Sequence, residues 1–239
     1  MNLNGVETIP VEYSSIIDMG MVWRLATPTA EDRETVKRYG RQYQWLDYLE
    51  KIVSMILYLH PVAITIILLN GRYDKQYSIK DEEHERRAAK YLGAGNRFPK
   101  PNDPFPSSTD FNAFLSDSGN KTRLQRMIKN YLFQKNLSHQ IVYCEGNVFT
   151  NISSNSEMPN ISQEHTEADT MMITIYAIIK QNHPALPVVI DSEDTDVYVQ
   201  AIYVAHKVPG DLLMKRKNRF VNCRSLIDES ISNIIIDEH

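Results

Sequence analysis

Ala63 to Leu69 is the stretch that most limits how this chain can fold. Ala63-Ile64-Thr65-Ile66-Ile67-Leu68-Leu69 is rich in β-branched residues and almost unbroken by polar ones, and it is bounded by Pro61 and by the turn pair Asn70-Gly71. A strand with one wet face alternates apolar and polar residues, whereas a strand buried on both faces does not. Such strands belong to parallel sheets covered by helices on both sides. Ile141 to Cys144 and Val188 to Ile190 have the same character, and Ser14 to Ile17 reads as a shorter strand ending at Asp18. Helical spacing fills the gaps between them. Thr29, with Asp32 three residues on, opens a long helical pattern that reaches Pro61. Further helices are predicted over 81–92, 120–135, 163–182, 195–206 and 225–236. Residues 93–108, with Pro99, Pro101, Pro104 and Pro106, read as a long loop. A loop or weak hairpin is expected over 147–159, and a hairpin pairs 211–214 with 219–221. Strand and helix in alternation predict an α/β fold, a mostly parallel central sheet flanked by helices. The whole of 1–239 reads as one domain, with 72–136 as a charged, helical insertion.

The formal net charge of −4 excludes a wholly basic nucleic-acid coat, so any such contact falls to local patches. The two cysteines, Cys144 and Cys223, have neither metal-ligand nor disulfide-framework spacing, which fits a reducing, intracellular compartment. The N-terminus carries no secretory pattern, and no apolar run is long enough to cross a bilayer.

Two acidic stretches carry the chemistry. Glu167-Ala168-Asp169-Thr170 opens a predicted helix, and Asp191-Ser192-Glu193-Asp194-Thr195-Asp196 follows a predicted strand. Acids at helix starts are explained by capping and by the helix dipole. Capping needs one acceptor per helix, however, and these stretches supply several acids in two consecutive units. Carboxylates gathered at one place repel one another, and a hard divalent cation such as Mg2+ or Mn2+ relieves that repulsion. Asp18 ends the first strand and points to the same sheet edge; by itself it reads as a turn residue. Asp191 reads as solvated or as an outer ligand. The metal site expected on this basis is Asp18, Glu167, Asp169, Asp194 and Asp196. Arg86, Arg87 and Lys90, and a second basic stripe containing Arg123 and Arg126, read either as solvated helix faces or as contacts to a phosphate backbone. Lys215-Arg216-Lys217 reads as a hairpin tip.

The second half of the chain resembles the flap-endonuclease-like nucleases of the PIN-like superfamily. Their Glu-Ala-x-Ala-like helix start is matched by Glu167-Ala168-Asp169-Thr170. Their strand ending in Thr-Glu-Asp-Ser-Asp is matched by Val188-Val189-Ile190 and Ser192-Glu193-Asp194-Thr195-Asp196. The match is specific over about 166–197 and thinner elsewhere, where Asp18 takes the place of the first-strand aspartate and Glu85-Arg86-Arg87-Ala88 resembles the entry to the family's helical arch. The wording of the two motifs is also similar to that of animal open reading frames derived from mobile elements. The resemblance implies a PIN-like three-layer sandwich and a Mg2+- or Mn2+-dependent nuclease. It implies a nucleic-acid partner, DNA ahead of RNA, and residence in the nucleus or cytoplasm. Two departures stand against full activity. Asn70-Gly71 replaces the family's Asp-Gly, and the sequence stops at Asp237-Glu238-His239, about where a final Gly-x-Asp motif would begin. Together they imply a fragment or an incomplete metal site. The alternative is a degenerate nuclease fold that binds nucleic acid or protein without cutting.

Overall fold

The structure is a computed structural model and describes residues 10–71, 99–145, 148–154, 156–157, 168–216 and 219–226. Among the described residues, eight strands form one sheet. They are β1 (Tyr13–Asp18), β2 (Ala63–Asn70), β3 (Gln140–Glu145), β4 (Val148–Asn151), β5 (Ser156–Glu157), β6 (Val188–Asp191), β7 (Leu212–Arg216) and β8 (Arg219–Asn222). Their order across the sheet is β5-β4-β3-β2-β1-β6-β7-β8. The central run β3-β2-β1-β6-β7 is parallel throughout, and β4, β5 and β8 add antiparallel edges.

Each face of the sheet carries its own core. Tyr13, Ile17, Ile66, Leu68, Ile141, Tyr143, Val189 and Leu213 pack under helices α1 (Met19–Leu25), α3 (Trp45–Leu59), α4 (Ser108–Ser116) and α5 (Ser118–Phe133). Their neighbours in sequence, Ile16, Ile67, Leu69, Val142, Cys144, Val188, Ile190, Leu212 and Met214, pack under α6 (Ala168–Asn182) and α7 (Thr195–Lys207). Period-two alternation therefore divides the apolar strands between two cores, as a strand buried on both faces requires. The result is a three-layer α/β/α sandwich.

The helical pattern that begins at Thr29 is two helices rather than one. Thr29 and Asp32 make the expected capping box and start α2 (Ala30–Arg38), which buries no residue. Gly40 then adopts φ +76°, in the left-handed region. The chain restarts at Gln44 with a second capping box to Asp47, whose carboxylate also pairs with Arg41 at 2.6 Å. A left-handed glycine after a helix is a stop signal, and here it outweighs the apolar spacing that continues past it. Two helices were not expected. One is α1, which follows β1 with no intervening loop. The other is α4, held by an aromatic cluster in which Phe105 lies 4.7 Å from the rings of both Trp45 and Tyr48 and 4.9 Å from Phe111. The described part of the loop expected over 93–108, residues 99–107, is thus anchored by one buried ring, and Ser108 already belongs to α4. The helix predicted over 81–92 lies outside the described residues, as do 163–167 and nearly all of 225–236.

Lys215 lies within β7 and is not part of a hairpin tip. It is buried, and its ammonium donates to the Leu59 carbonyl and pairs with Asp191 at 3.4 Å. Both cysteines are buried free thiols, and burial pushes each up to about 12.

At the opposite edge, where β6 and β7 begin, buried Lys180 donates to the carbonyls of Pro184 and Leu186. Gly210 has φ +108°, and a Cβ there would lie 2.6 Å from Lys180 Nζ and 2.9 Å from the Pro184 carbonyl oxygen. Gly210→Ala is expected to lower stability by about 1–3 kcal/mol through backbone strain and displacement of the lysine. Urea unfolding measures it, and a midpoint equal to wild type would contradict the clash.

Candidate functional site

In a parallel sheet every strand delivers its carboxyl end to the same edge. Here that edge carries Asp18, Asn70, Glu145 and Asp191 as the last residues of β1, β2, β3 and β6. The chain proceeds from β1 outward to β2 and β3 on one side, and β6 and β7 lie on the other. The order therefore reverses between β1 and β6, and such reversals open a crevice in which α/β proteins place their ligands. Asp18 ends one flank of that crevice, and Asp194 stands three residues past the other.

Asp18 is half-buried, and its Oδ1 accepts from the Gly20 backbone N–H at 2.8 Å, capping α1. Burial pushes its carboxyl above the ordinary range. The Gly20 N–H and the Arg24 charge draw it back down, and the Asp169 charge pushes it up again. Asp169 is half-buried in the first turn of α6. These two acids, far apart in sequence, thus sense each other across the edge. Alternation along β1 puts Asp18 on the face that carries Ile16, the face covered by α6 and α7.

Asp194 caps α7: its Oδ1 accepts from Asp196 N–H at 2.9 Å, while its own N–H donates to Ser192 Oγ at 3.2 Å. Ser192 is buried, and Val197, just beyond, is fully buried under the helix. Asp194 and Asp196 themselves are exposed. Glu167, one residue before α6, lies outside the described residues. Among the described residues, no three of His, Cys, Asp and Glu gather closely enough to hold a metal ion.

Asp191 was read from sequence as solvated or as an outer ligand, and it is neither exposed nor on the Asp18 face. It is buried, and its Oδ2 lies 3.0 Å from His60 Nε2 and 3.4 Å from Lys215 Nζ. His60 Nδ1 in turn meets the Tyr13 hydroxyl at 3.2 Å. Burial is the main force on three of these groups. It holds His60 and Lys215 below their usual values and, with the Asp191 charge, raises Tyr13 to about 12. The histidine is therefore neutral at physiological pH, and the charges that balance are Asp191 and Lys215. This polar chain ties the end of α3 to β1, β6 and β7 directly beneath the strand that leads to Asp194. His60 gave no signal in sequence, because a lone histidine before Pro61 resembles any loop residue.

Asn70 stands where the resemblance calls for an aspartate. Its Nδ2 donates to the Cys144 carbonyl at 2.8 Å, and its buried Oδ1 has no hydrogen-bond partner. Alternation with Ile66 and Leu68 sets it on the face opposite Asp18. The basic residues divide. Arg86, Arg87 and Lys90 lie outside the described residues. Arg123 and Arg126 lie on α5 at the carboxyl edge, since Gln125 between them donates to the Gly71 carbonyl at 3.0 Å, just past β2. Among the described residues, no helix is long and apolar enough to cross a membrane.

No family model matches the chain, and no curated protein matches it in sequence.

Two predictions follow from the charges at this edge. Because the folded-state carboxyl of Asp18 is raised, ionising it costs stability, which is full below the ordinary aspartate range and declines as pH rises through the folded value. Asp18→Asn keeps the cap and removes that cost. It is expected to melt with wild type below about pH 4 and above it at pH 7; equal melting temperatures at both pH values would refute the raised carboxyl. Lys215→Met leaves Asp191 buried and unbalanced, a loss of about 3–5 kcal/mol. Lys215→Met combined with Asp191→Asn should recover most of it, and a double variant no more stable than the single would show that the two charges do not act as a pair.

Proposed function

We propose that the carboxyl edge of this sheet is the active edge of a divalent-metal-dependent nuclease of PIN-like type, hydrolysing phosphodiester bonds in DNA or RNA, with DNA the favoured substrate. The observation that carries this reading is the placement of Asp18 at the end of β1 and of Asp194 three residues past β6, on the two sides of the strand-order reversal, with Asp169 close enough for its charge to raise Asp18. A half-buried carboxyl pushed up by burial and by a second carboxylate is costly to ionise unless a cation joins it. The donor set is oxygen only, which suits Mg2+ or Mn2+.

Asp18, Glu167, Asp169, Asp194 and Asp196 would hold the ion or ions. A bound divalent ion supplies positive charge to the scissile phosphate and lowers the pKa of a water. The chain's own contribution is positional. The Gly20 N–H fixes one oxygen of Asp18, the Ser192 hydroxyl fixes the turn into Asp194, and the buried Asp191–Lys215 pair braces β6 beneath both. Arg123 and Arg126, together with Arg86, Arg87 and Lys90, would hold the substrate backbone. Residence in the nucleus or cytoplasm goes with this reading, as does descent from a mobile element.

Asn70 favours a second reading, a nuclease fold that has lost cleavage and acts as a nucleic-acid-binding or protein-interaction scaffold. Its amide is engaged with Cys144 and its side chain faces away from Asp18, so it supplies no carboxylate to the site.

The test is cleavage of labelled single-stranded, duplex and flap substrates with Mn2+, comparing wild type with Asp194→Ala plus Asp196→Ala. The nuclease reading expects cleavage that falls at least about a hundredfold in the double variant, as loss of a metal site does. It also expects Mn2+ to raise the melting temperature of wild type and not of Asp18→Asn, because a ligand stabilises only the state that binds it. A Mn2+-insensitive, inactive wild type selects the scaffold.

A further inference from the structure

Among the described residues, α6 and α7 make up the outer layer on the Asp18 face. They pack side by side and run the same way, from the carboxyl edge of the sheet to the amino edge, since α6 leads into β6 and α7 leads out of it. Between Asp196 and His206 the sequence of α7 is Val-Tyr-Val-Gln-Ala-Ile-Tyr-Val-Ala, with no charge. α6 has none between Asp169 and Lys180, and Lys180 is buried. The other layer differs: α3 carries Glu50 and Lys51 near its middle, and α5 carries Arg126 and Lys129. In a chain with 23% charged residues, two neighbouring outer helices with uncharged middles are an exception.

Helical spacing lines Asp196, Val199, Tyr203 and Lys207 along one side of α7. All four are exposed, Val199 by 60%. The stripe starts acidic, turns apolar and aromatic, and ends basic. Glu193 adds to the acidic end and His206 to the basic one, and both are exposed. Acids at a helix start and cations at its end also suit the helix's own dipole. The dipole gives no reason for an exposed valine and tyrosine between them. Among the described residues, Glu193, Asp196 and His206 form no ion pair. Lys207 donates to the Tyr203 hydroxyl and lies 4.4 Å from the ring centroid, which holds the tyrosine on the stripe.

A run of acid, apolar centre and base is complementary to its own reverse. We propose that a second copy of this chain docks here, α7 packing antiparallel on α7 about a two-fold axis level with Ala201, with the uncharged side of α6 flanking the contact. Val199 then meets the partner's Tyr203, and Asp196 meets the partner's His206 and the partner's Lys207, each contact being made twice. A helix of 13 residues is about 20 Å long and its neighbour lies about 10 Å away, so the face covers roughly 400 Å² of each copy in projection. That is at the low end for a specific interface, and the dimer is accordingly reversible. The antiparallel arrangement sends the two carboxyl edges to opposite ends of the dimer. It needs neither metal nor substrate, and Glu193 keeps one end of the stripe acidic when Asp196 holds an ion.

The test is sedimentation velocity of the full chain in EDTA, without nucleic acid, from about 1 to about 200 µM, where a dimer of micromolar Kd populates both states. The wild type is expected to rise from the mass of one chain toward that of two. Val199→Asp, Lys207→Glu and Asp196→Lys should each weaken the dimer about tenfold or more, because the axis counts every substitution twice and each places like or unpaired charges together. An equal mixture of Asp196→Lys and Lys207→Glu should recover the dimer, since only the mixed pair sets opposite charges against each other at both ends. A wild type that stays monomeric throughout overturns the proposal. So does a dimer left unchanged in variants that melt as wild type, which would put the contact on another face. A mixture that remains monomeric rules out the antiparallel register, and the proposal with it. If Val199→Asp fails to fold, the two charge variants and their mixture still decide. Dimers of a protein that never cuts would sink the nuclease reading alone, and cleavage by a monomer would sink only the dimer.

Discussion

Parallel pairing of five strands, each with both faces buried, is the constraint on which the rest of the molecule depends. A parallel ladder cannot turn back on itself, so each connection must cross the sheet, and each crossover leaves a helix on one face. The two cores follow from that. Tyr13, Ile17, Ile66 and Leu68 face one helical layer, and Ile16, Ile67 and Leu69 face the other. The common edge follows as well. Asp18, Asn70, Glu145 and Asp191 come together there because their strands point the same way.

Burial on both faces has a cost where polar residues must lie inside. On the α3 side the cost is met by pairing: Asp191 is balanced by Lys215 and touched by His60, whose other nitrogen meets Tyr13. Four segments, β1, the end of α3, β6 and β7, are locked by one ionic contact and its neighbours. Breaking such a set is expensive because the survivor has no water to turn to. On the α6 side burial and the Asp169 charge raise the half-buried carboxyl of Asp18, against the Gly20 N–H and the Arg24 charge that draw it down. One face of the edge is thus built for stability, and the other holds an electrostatic cost. Costs of that kind collect where proteins bind ligands, since function and stability compete for the same residues.

Much of the sheet was legible from composition and spacing. Ala63 to Leu69, Ile141 to Cys144 and Val188 to Ile190 read as two-sided strands because they lack alternation, and all three lie in the parallel core. Gly40 was the signal that should have divided the long helical pattern, and Phe105 was the ring that should have marked the 99–107 segment as anchored. Asp18 at the end of β1 and Asp194 just past β6 were legible as positions, since a strand's end can be read from where its apolar run stops. Asp191 and Lys215 were misjudged. Alternation assigns a strand residue to one of two faces, but nothing local says that a charge on one strand will find its opposite on the next.

The sequence by itself determined the α/β class, the parallel core, most of the elements and which acids fall at strand ends and helix starts. These properties depend on neighbours a few residues apart. Tertiary structure alone decided that Asp18 and Asp169 share a face while Asp191 and Asn70 turn to the other. It alone placed the reversal point between β1 and β6, and it left Val199 and Tyr203 exposed on the outer side of α7. Those are matters of strand order and helix side, and they are set by which faces find each other on collapse, a long-range choice that no short stretch of chain records.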